Sequence, residues 1–150
     1  MDIKSKKDRS MNMSRIRSRD TKPEMYIRRL LYACGYRYRV NYSKISGSPD
    51  IYFISRKIAI FVNGCFWHRH RDCKYAYTPK SNVQIWQKKF SDNIQRDQRI
   101  AADLELHNIR YLTIWECTIR KMMKNLEYKN CILNEIEKFI ETTERNHLEL

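Results

Sequence analysis

The sequence predicts a single mixed α/β domain in which helices flank a central sheet. Its 150 residues, of which 42% are hydrophobic, suffice for one domain with one core. A continuous apolar run at residues 58–62 is typical of a strand buried on both faces. Apolar residues recur at helical spacing along residues 82–106. Strand and helix patterns that alternate along one chain predict helices packed against a sheet.

The first helix is predicted to begin after Thr21. Thr21 and Glu24 have the spacing of a capping box, and Pro23 is tolerated in a first helical turn. Apolar side chains then recur at helical spacing as far as Cys34, and Gly35 is a typical helix stop.

The remaining elements are predicted from alternating or continuous apolar runs. Residues 36–40 alternate aromatic or apolar side chains with arginine, which is typical of a strand. Residues 63–81 are rich in histidine, cysteine and aromatic residues and are predicted to form an irregular loop. The predicted order is a helix, three strands, a long helix, a strand and a final helix, at residues 21–34, 36–40, 51–54, 58–62, 82–106, 109–115 and 132–140.

The chain is strongly basic, with 30 lysine and arginine residues against 17 acidic ones and a net charge of +13. The excess lies towards the N-terminus, where residues 1–19 are predicted to form a basic arm ahead of a folded domain at 20–150. Basic side chains that neutralise phosphates release counterions, which favours a nucleic acid as the partner. The alternatives are a solubilising charge excess or a membrane surface, but no basic amphipathic helix stands alone.

The sequence carries no pattern typical of export or of membrane insertion. No apolar run approaches the ~18 residues that a membrane span needs, and residues 1–10 lack the apolar core of a signal peptide. The odd count of 5 cysteines argues against a disulfide framework. We therefore expect a cytoplasmic protein without a membrane partner, whose cysteines bind a metal or are simply buried.

Four residues have the chemistry of a tetrahedral zinc site: Cys65, His70, Cys73 and Cys117. Three thiolates and one imidazole form a closed ligand set, so the zinc would be structural and would fix the loop 63–81 to the sheet. Cys117 is expected at the end of the strand that contains Trp115. The alternative is that Cys65 and Cys117 are buried thiols and that His70 lies on the surface. Of the other cysteines, Cys34 is predicted to lie in the core and Cys131 to be structural.

Asp50 follows Pro49 where the second strand begins. Phosphodiester hydrolysis needs a Lewis acid, and carboxylate oxygens suit Mg²⁺, so Asp50 is a candidate ligand beside a backbone carbonyl of the strand at 58–62. A Pro-Asp pair taken alone is more often a turn. His68 is a candidate acid or base, although a solvated loop histidine and an exchange of roles with His70 are alternatives.

Three large aromatic residues lie among basic ones: Phe66, Trp67 and Trp86. Apolar rings of this kind can wedge between base pairs, which costs less at a mismatch where less stacking is lost. The alternative is ordinary core packing, and it is strongest for Trp86 because that residue lies on the apolar stripe of its helix.

Several of these motifs together resemble one enzyme family. The run Gly64-Cys65-Phe66-Trp67-His68, with His70 and Cys73 after it, is similar to the signature of the very-short-patch repair (Vsr) DNA mismatch endonucleases. Matching pieces stand in the same order at Ser48-Pro49-Asp50, in the helix that contains Trp86, and at Trp115-Glu116-Cys117. The resemblance covers residues 11–121.

The resemblance implies a fold like that of the type II restriction endonucleases, with a structural zinc. It also implies a Mg²⁺-dependent nick 5′ to the thymine of a T·G mismatch that arises when 5-methylcytosine is deaminated. By this likeness Asp50 is the principal Mg²⁺ ligand with the main-chain carbonyl of Val62, His68 is the acid or base, and Glu24 supports the waters of the metal. Phe66, Trp67 and Trp86 would intercalate near the mismatch, and the zinc ligands would be Cys65, His70, Cys73 and Cys117.

The chain departs from the family pattern at two places. Asn63 stands where the best-known member has histidine, so one catalytic imidazole is replaced by an amide that could hold a phosphate or a metal-bound water instead. The segment from His70 to Cys73 is one residue longer, which would shift Cys73 in the zinc site. The acid-x-lysine half of the common restriction-enzyme motif is also absent after Asp50, which suits this family but not an ordinary restriction enzyme.

Two other functions remain open at this point. One is a sequence-specific nuclease linked to a restriction–modification system, and the other is a zinc-stabilised DNA-binding module without catalysis. The expected partner is double-stranded DNA with a T·G mismatch, and contact with a mismatch-repair protein is a further option. A single asymmetric mismatch needs only a monomer. On the leading hypothesis, the folded domain at 20–150 is an endonuclease domain.

Overall fold

The structure is a computed structural model that describes residues 19–150, so all of the predicted basic arm except Arg19 lies outside the described residues. In chain order the elements are α1 (Lys22–Ala33), β1 (Arg39–Val40), β2 (Ile51–Phe53), β3 (Ile58–Asn63), α2 (Val83–Leu106), β4 (Arg110–Trp115), α3 (Glu116–Lys124), α4 (Leu126–Glu141) and β5 (His147–Glu149).

The five strands form one mixed sheet in the order β1-β2-β3-β4-β5. The first three strands pair antiparallel, whereas β3 pairs parallel with β4 and β4 pairs parallel with β5. The long helix α2 forms the crossover that parallel pairing of β3 and β4 requires. The mixed α/β fold predicted from the sequence is confirmed.

Strand β3 is buried on both faces, as its continuous apolar run predicts. Ile58, Ala59 and Ile60 are each 0% exposed. Because side chains alternate along a strand, Ile58 and Ile60 lie in the core cluster with residues of α1, α3 and α4. Phe61 lies on the other face, where it lines a cleft together with Ile100 of α2.

Helix α1 begins and ends where the sequence predicts. The Thr21 side chain caps it by accepting a hydrogen bond from the Glu24 backbone N–H, and Gly35 follows it with a φ of +95°, which favours glycine. The capping box is not reciprocal. The Glu24 carboxylate accepts a hydrogen bond from the backbone N–H of Asp20 at 2.7 Å, one residue before the cap. Glu24 is thereby held at the start of the helix and is buried.

The structure differs from the sequence-based expectations at four places. The strand predicted at residues 36–40 forms ladder pairs only at Arg39–Val40, and the backbone N–H of Tyr36 instead donates to the Leu31 carbonyl at the end of α1. Cys117 lies in the first turn of α3 and not at the end of a strand. Neither α3 nor β5 was predicted, since each is short and forms by packing or pairing against its neighbours. Finally, Cys34 follows the last turn of α1 and is exposed, so it is not a core residue.

No helix among residues 19–150 has the length and apolar character needed to cross a membrane.

Candidate active site and metal cluster

All five residues that the sequence analysis assigned to catalysis line a single cleft. The cleft encloses about 530 Å³ at the end of β3, between β3, α2 and the loop that precedes β2. The five residues come from α1, the start of β2, the end of β3 and the following loop, and they are Glu24, Asp50, Val62, Asn63 and His68. They converge because the antiparallel pairing of β2 and β3 places the start of one strand beside the end of the other.

A glycine allows the cleft wall to form. Gly47 has a φ of +81°, and a Cβ atom at this position would lie 2.7 Å from Ile100 and 3.0 Å from Phe61. Any larger residue would therefore clash with α2 and β3. The loop that leads to Asp50 can approach these two elements closely only because residue 47 has no side chain.

The Asp50 carboxylate is fixed by the backbone of β3. Its Oδ2 accepts a hydrogen bond from the Val62 N–H at 2.7 Å. Burial raises the pKa of Asp50 to about 7, and the neighbouring Glu24 carboxylate adds to the increase. The Val62 N–H and the charge of Arg28 oppose it. A buried carboxyl group beside a second one forms an arrangement that a bound cation would stabilise.

This raised pKa predicts a pH-dependent stability. Without added divalent cation, the free energy of unfolding should fall as pH rises from about 4 to about 7, because the unfolded chain loses the Asp50 proton near pH 3.8 and the folded chain keeps it until about pH 7. Asp50→Asn removes this penalty and keeps an acceptor for the Val62 N–H. Its stability gain over wild type should therefore grow by about 2–3 kcal/mol between pH 5 and pH 8.

Urea unfolding at several pH values would measure this gain, with the exposed Asp92→Asn as the matched control. A gain that stays constant across the pH range would show that Asp50 ionises normally in the folded protein.

Arg28 organises the acidic side of the cleft, and the sequence analysis did not single it out. Its side chain is buried, and its guanidinium donates to Asp20 at 2.7 Å, to Asn41 at 3.2 Å and to Glu24 at 3.4 Å. The backbone N–H of Asn41 in turn donates to the Asp50 carbonyl. One buried cation thus connects α1 to the loop before β2 and partly balances the carboxylates. The only sequence signal was the i, i+4 spacing from Glu24.

His68 is held by an acidic residue of α2. Its Nδ1 lies 2.7 Å from Oδ2 of Asp97. Since an ionised carboxylate can only accept, Nδ1 carries the proton and Nε2 remains as the second ring nitrogen, free to accept or donate. The sequence analysis did not assign Asp97 to the site. The neighbouring turn of α2 holds the same loop, because Asn93 donates to the Trp67 carbonyl at 2.9 Å.

The four predicted zinc ligands form a compact cluster. The ligand atoms of Cys65, His70, Cys73 and Cys117 all lie within 4.8 Å of one another. The Sγ of Cys117 is 3.4 Å from Nδ1 of His70, and the Cys117 N–H donates to the Sγ of Cys65. The longer segment between His70 and Cys73 does not displace Cys73. Within this segment Asp72 adopts a left-handed φ of +56°.

The donor set fits a soft divalent metal. Burial raises the pKa of the Cys65 thiol to about 12, so this buried thiol would stay neutral unless a cation were bound beside it. Burial also lowers the pKa of His70, which favours the neutral imidazole that metal ligation requires. The ring of Trp115 stacks on His70 with centroids 4.1 Å apart, and its indole N–H donates to Glu149 of β5. The cluster is thereby supported from the C-terminal strand.

Comparison with known proteins identifies the family to which this chain belongs. Residues 1–75, half of the chain, match the family model described as DNA mismatch endonuclease Vsr. A type II nicking enzyme of Neisseria meningitidis is 35% identical over 91% of this chain and 96% of its own length. The chain belongs to the Vsr family of DNA mismatch endonucleases.

Two further relatives of this Vsr-family chain extend the comparison. The DNA mismatch endonuclease Vsr of Escherichia coli is 35% identical over 79% of this chain and 76% of its own length. A type II nicking enzyme of Xanthomonas oryzae is 41% identical over 71% of this chain and 78% of its own length. The resemblance noted in the sequence is confirmed, and with it the prediction of an enzyme, a DNA endonuclease of the hydrolase class.

The predicted intercalating residues of this Vsr-family endonuclease form one aromatic cluster. The Phe66 ring lies 5.1 Å from that of Trp67 and 5.4 Å from that of Trp86, and the two tryptophans are 5.9 Å apart. Phe66 also packs on the buried Phe90 of α2. All three rings are partly exposed. They are therefore neither fully buried in the core nor fully exposed side chains. They form a surface that rests on the core through Phe90.

Proposed function

We propose that this Vsr-family endonuclease nicks one strand of duplex DNA 5′ to the thymine of a T·G mismatch that arises by deamination of 5-methylcytosine. The proposal rests chiefly on one observation. A paired acidic site, Asp50 with Glu24, and an acid-held imidazole, His68 with Asp97, face one cleft beside the aromatic cluster. A scissile phosphate in this cleft would meet both groups.

Asp50 and the main-chain carbonyl of Val62 are the proposed Mg²⁺ ligands, and Glu24 would hold the waters of the metal. The Val62 N–H points towards Asp50, and in an extended strand the N–H and C=O of one residue leave on the same side. The carboxylate and carbonyl oxygens are hard donors that suit Mg²⁺. When bound, the metal would act as a Lewis acid on the phosphate and stabilise the negative charge of the transition state.

His68 is the proposed general acid or base. Its Nδ1 bond to Asp97 fixes the ring and leaves Nε2 to take a proton from the attacking oxygen or give one to the leaving oxygen. Asp97 does not touch the substrate in this scheme and is a positioning residue. Asn63 lines the same cleft, where its amide can donate to a phosphate oxygen but cannot exchange a proton as histidine does.

Mismatch recognition is assigned to Phe66, Trp67 and Trp86. Inserting rings between base pairs costs roughly a few kcal/mol per step, and this cost is lower at a mismatch because the pair is already weakened. Phe66 and Trp67 lie on the same loop as His68, so seating these two rings at the mismatch would also bring the neighbouring phosphate towards the imidazole. The proposed zinc, held by Cys65 and the other three ligands, would fix the position of this loop relative to β4 and α3.

A nuclease linked to a restriction–modification system is the second candidate function. It is favoured by one specific observation, since two of the relatives described above are named type II nicking enzymes. The two candidates share the cleft and its chemistry. They differ in whether a mispaired base or a matched recognition sequence positions the phosphate.

A nicking assay on a panel of duplexes tests the proposal. The panel contains every mispair and the matched pairs in several sequence contexts, each with and without Mg²⁺. We expect one nick, in the thymine strand of the T·G duplex, and only when Mg²⁺ is present. Equal nicking of matched and mismatched duplexes would instead favour the restriction-linked nuclease, and metal-independent nicking would reject the assigned role of Asp50.

A further inference from the structure

We propose that a second, basic groove on this protein binds the phosphate backbone of duplex DNA outside the active-site cleft. The inference rests on the proposed function, because it requires DNA to be held in the cleft at the same time. The groove lies between the loop that follows Cys73 and the exposed face of α3. It has a volume of about 570 Å³, and the lining residues that carry the argument are Lys74, Tyr75, Arg120, Lys121, Lys124 and Tyr128.

The charge of the groove lining complements a phosphate backbone. Four of its nine lining residues are lysine or arginine, and none is acidic. Arg120 is paired with Glu116 at 2.6 Å, which partly neutralises it. Among residues 19–150, no ion pair engages Lys74, Lys121 or Lys124. Three uncompensated cations therefore remain to face a polyanion.

Tyrosine rings pre-order the cations. The Lys74 ammonium lies 5.2 Å from the centroid of the Tyr75 ring, and the Arg120 guanidinium lies 4.8 Å from the same ring. On the other side of the groove, the Lys121 ammonium lies 4.1 Å from the centroid of Tyr128. Long basic side chains held over rings lose less conformational entropy when they bind a ligand.

The dipole of α3 does not by itself explain this arrangement. Lys121 and Lys124 lie in the last turn of α3, where basic residues stabilise a helix. That effect accounts for two of the cations on one wall. It does not account for Lys74, which comes from a different segment and faces the same groove.

The cluster of Cys65, His70, Cys73 and Cys117 lies beside residues of the groove and of the cleft along the chain and contributes to the walls of the groove. Cys73 immediately precedes Lys74, and Cys117 lies in the first turn of α3 and lines the groove, so two of the four clustered residues fix its two walls. The same loop carries His68 into the cleft. The loop 63–81 therefore contributes residues to both the cleft and the groove. A duplex bound in the cleft could contact the basic groove at the same time.

A double variant tests the groove, with a matched control that removes the same charge elsewhere. The test variant is Lys121→Gln with Lys124→Gln. The control is Lys57→Gln with Lys138→Gln. Lys57 lies in the turn before β3, at the end of that strand opposite the cleft, and Lys138 lies in the last turn of α4. Binding to a long T·G duplex is measured without Mg²⁺ across a salt series, and thermal melting verifies that each variant is folded.

We expect the test variant to bind roughly tenfold more weakly than the control at about 0.1 M salt, with a slope of log affinity against log salt smaller by roughly 2. The control should match wild type. Equal salt slopes and affinities for the two double variants would overturn the groove as a DNA contact and would leave mismatch nicking intact. Wild-type protein that binds the duplex as expected but fails to nick any mispair would reject the proposed function, while the salt comparison still decides the groove.

Discussion

Asp50→Ala is expected to lower the nicking rate on a T·G duplex by about three orders of magnitude. The change removes the carboxylate that the Val62 N–H orients into the cleft, and with it the proposed metal ligand. A loss of about 4 kcal/mol of transition-state stabilisation corresponds to ~10³ in rate, which is a modest requirement for a Lewis acid at a phosphate. Single-turnover nicking at saturating enzyme and Mg²⁺ would measure the effect on the chemical step.

The matched control for this change is Asp92→Ala. Asp92 is an exposed acidic residue of α2 that does not line the cleft, so its removal changes the net charge equally without touching the site. The control should nick at the wild-type rate. Asp50→Ala should still bind the duplex, because it removes a negative charge from a surface that meets phosphates. If Asp50→Ala nicks as fast as the control, the catalytic centre is not at Asp50.

Removal of the proposed zinc from the four-residue cluster is expected to lower the melting temperature by roughly 10 °C or more. Without a cation, the cluster leaves Cys65 as a buried neutral thiol, and the irregular loop 63–81 loses its attachment to α3. For a chain of this size, each kcal/mol shifts the melting temperature by about 2–4 °C, so a loss of several kcal/mol is enough. Calorimetry before and after treatment with a chelator measures it.

The matched pair for this prediction is Cys65→Ser and Cys131→Ser. Cys65 is buried in the cluster, whereas Cys131 is an exposed cysteine of α4 outside it. We expect about one equivalent of zinc in wild type and in Cys131→Ser, and a clear loss of bound zinc from Cys65→Ser. Protein that keeps its melting temperature after the metal is removed would show that the four residues pack as ordinary side chains.

Local patterns in the sequence predicted the central elements well. The capping residues around Thr21, the double-sided burial of β3 and the long helix α2 each depend on residues near one another in the chain. The spacing of Cys65, His70 and Cys73 likewise lies within one short loop. Such features can be predicted from the sequence, because the residues that interact lie in the same short segment of the chain.

Other features depend on contacts between distant segments. Arg28 has the appearance of a surface residue in the helical pattern, yet the fold buries it against Asn41 and Asp20. Asp97 has no sequence signal of its own that pairs it with His68, 29 residues earlier. The short strand β5 exists only because β4 offers an unpaired edge. Nothing local in these residues predicts such partners.

The sequence alone thus predicted the residue types that carry the chemistry, the family and the order of the central elements. These features depend on the identity of the residues and on periodicity over short stretches of the chain. Folding decided how these residues meet. Antiparallel pairing of β2 with β3 aligns Asp50 with Val62, and the crossover through α2 brings Asp97 to His68. Those distances are set by long-range pairing and by packing of the whole core, whose energy is shared among many residues and is encoded in no single segment.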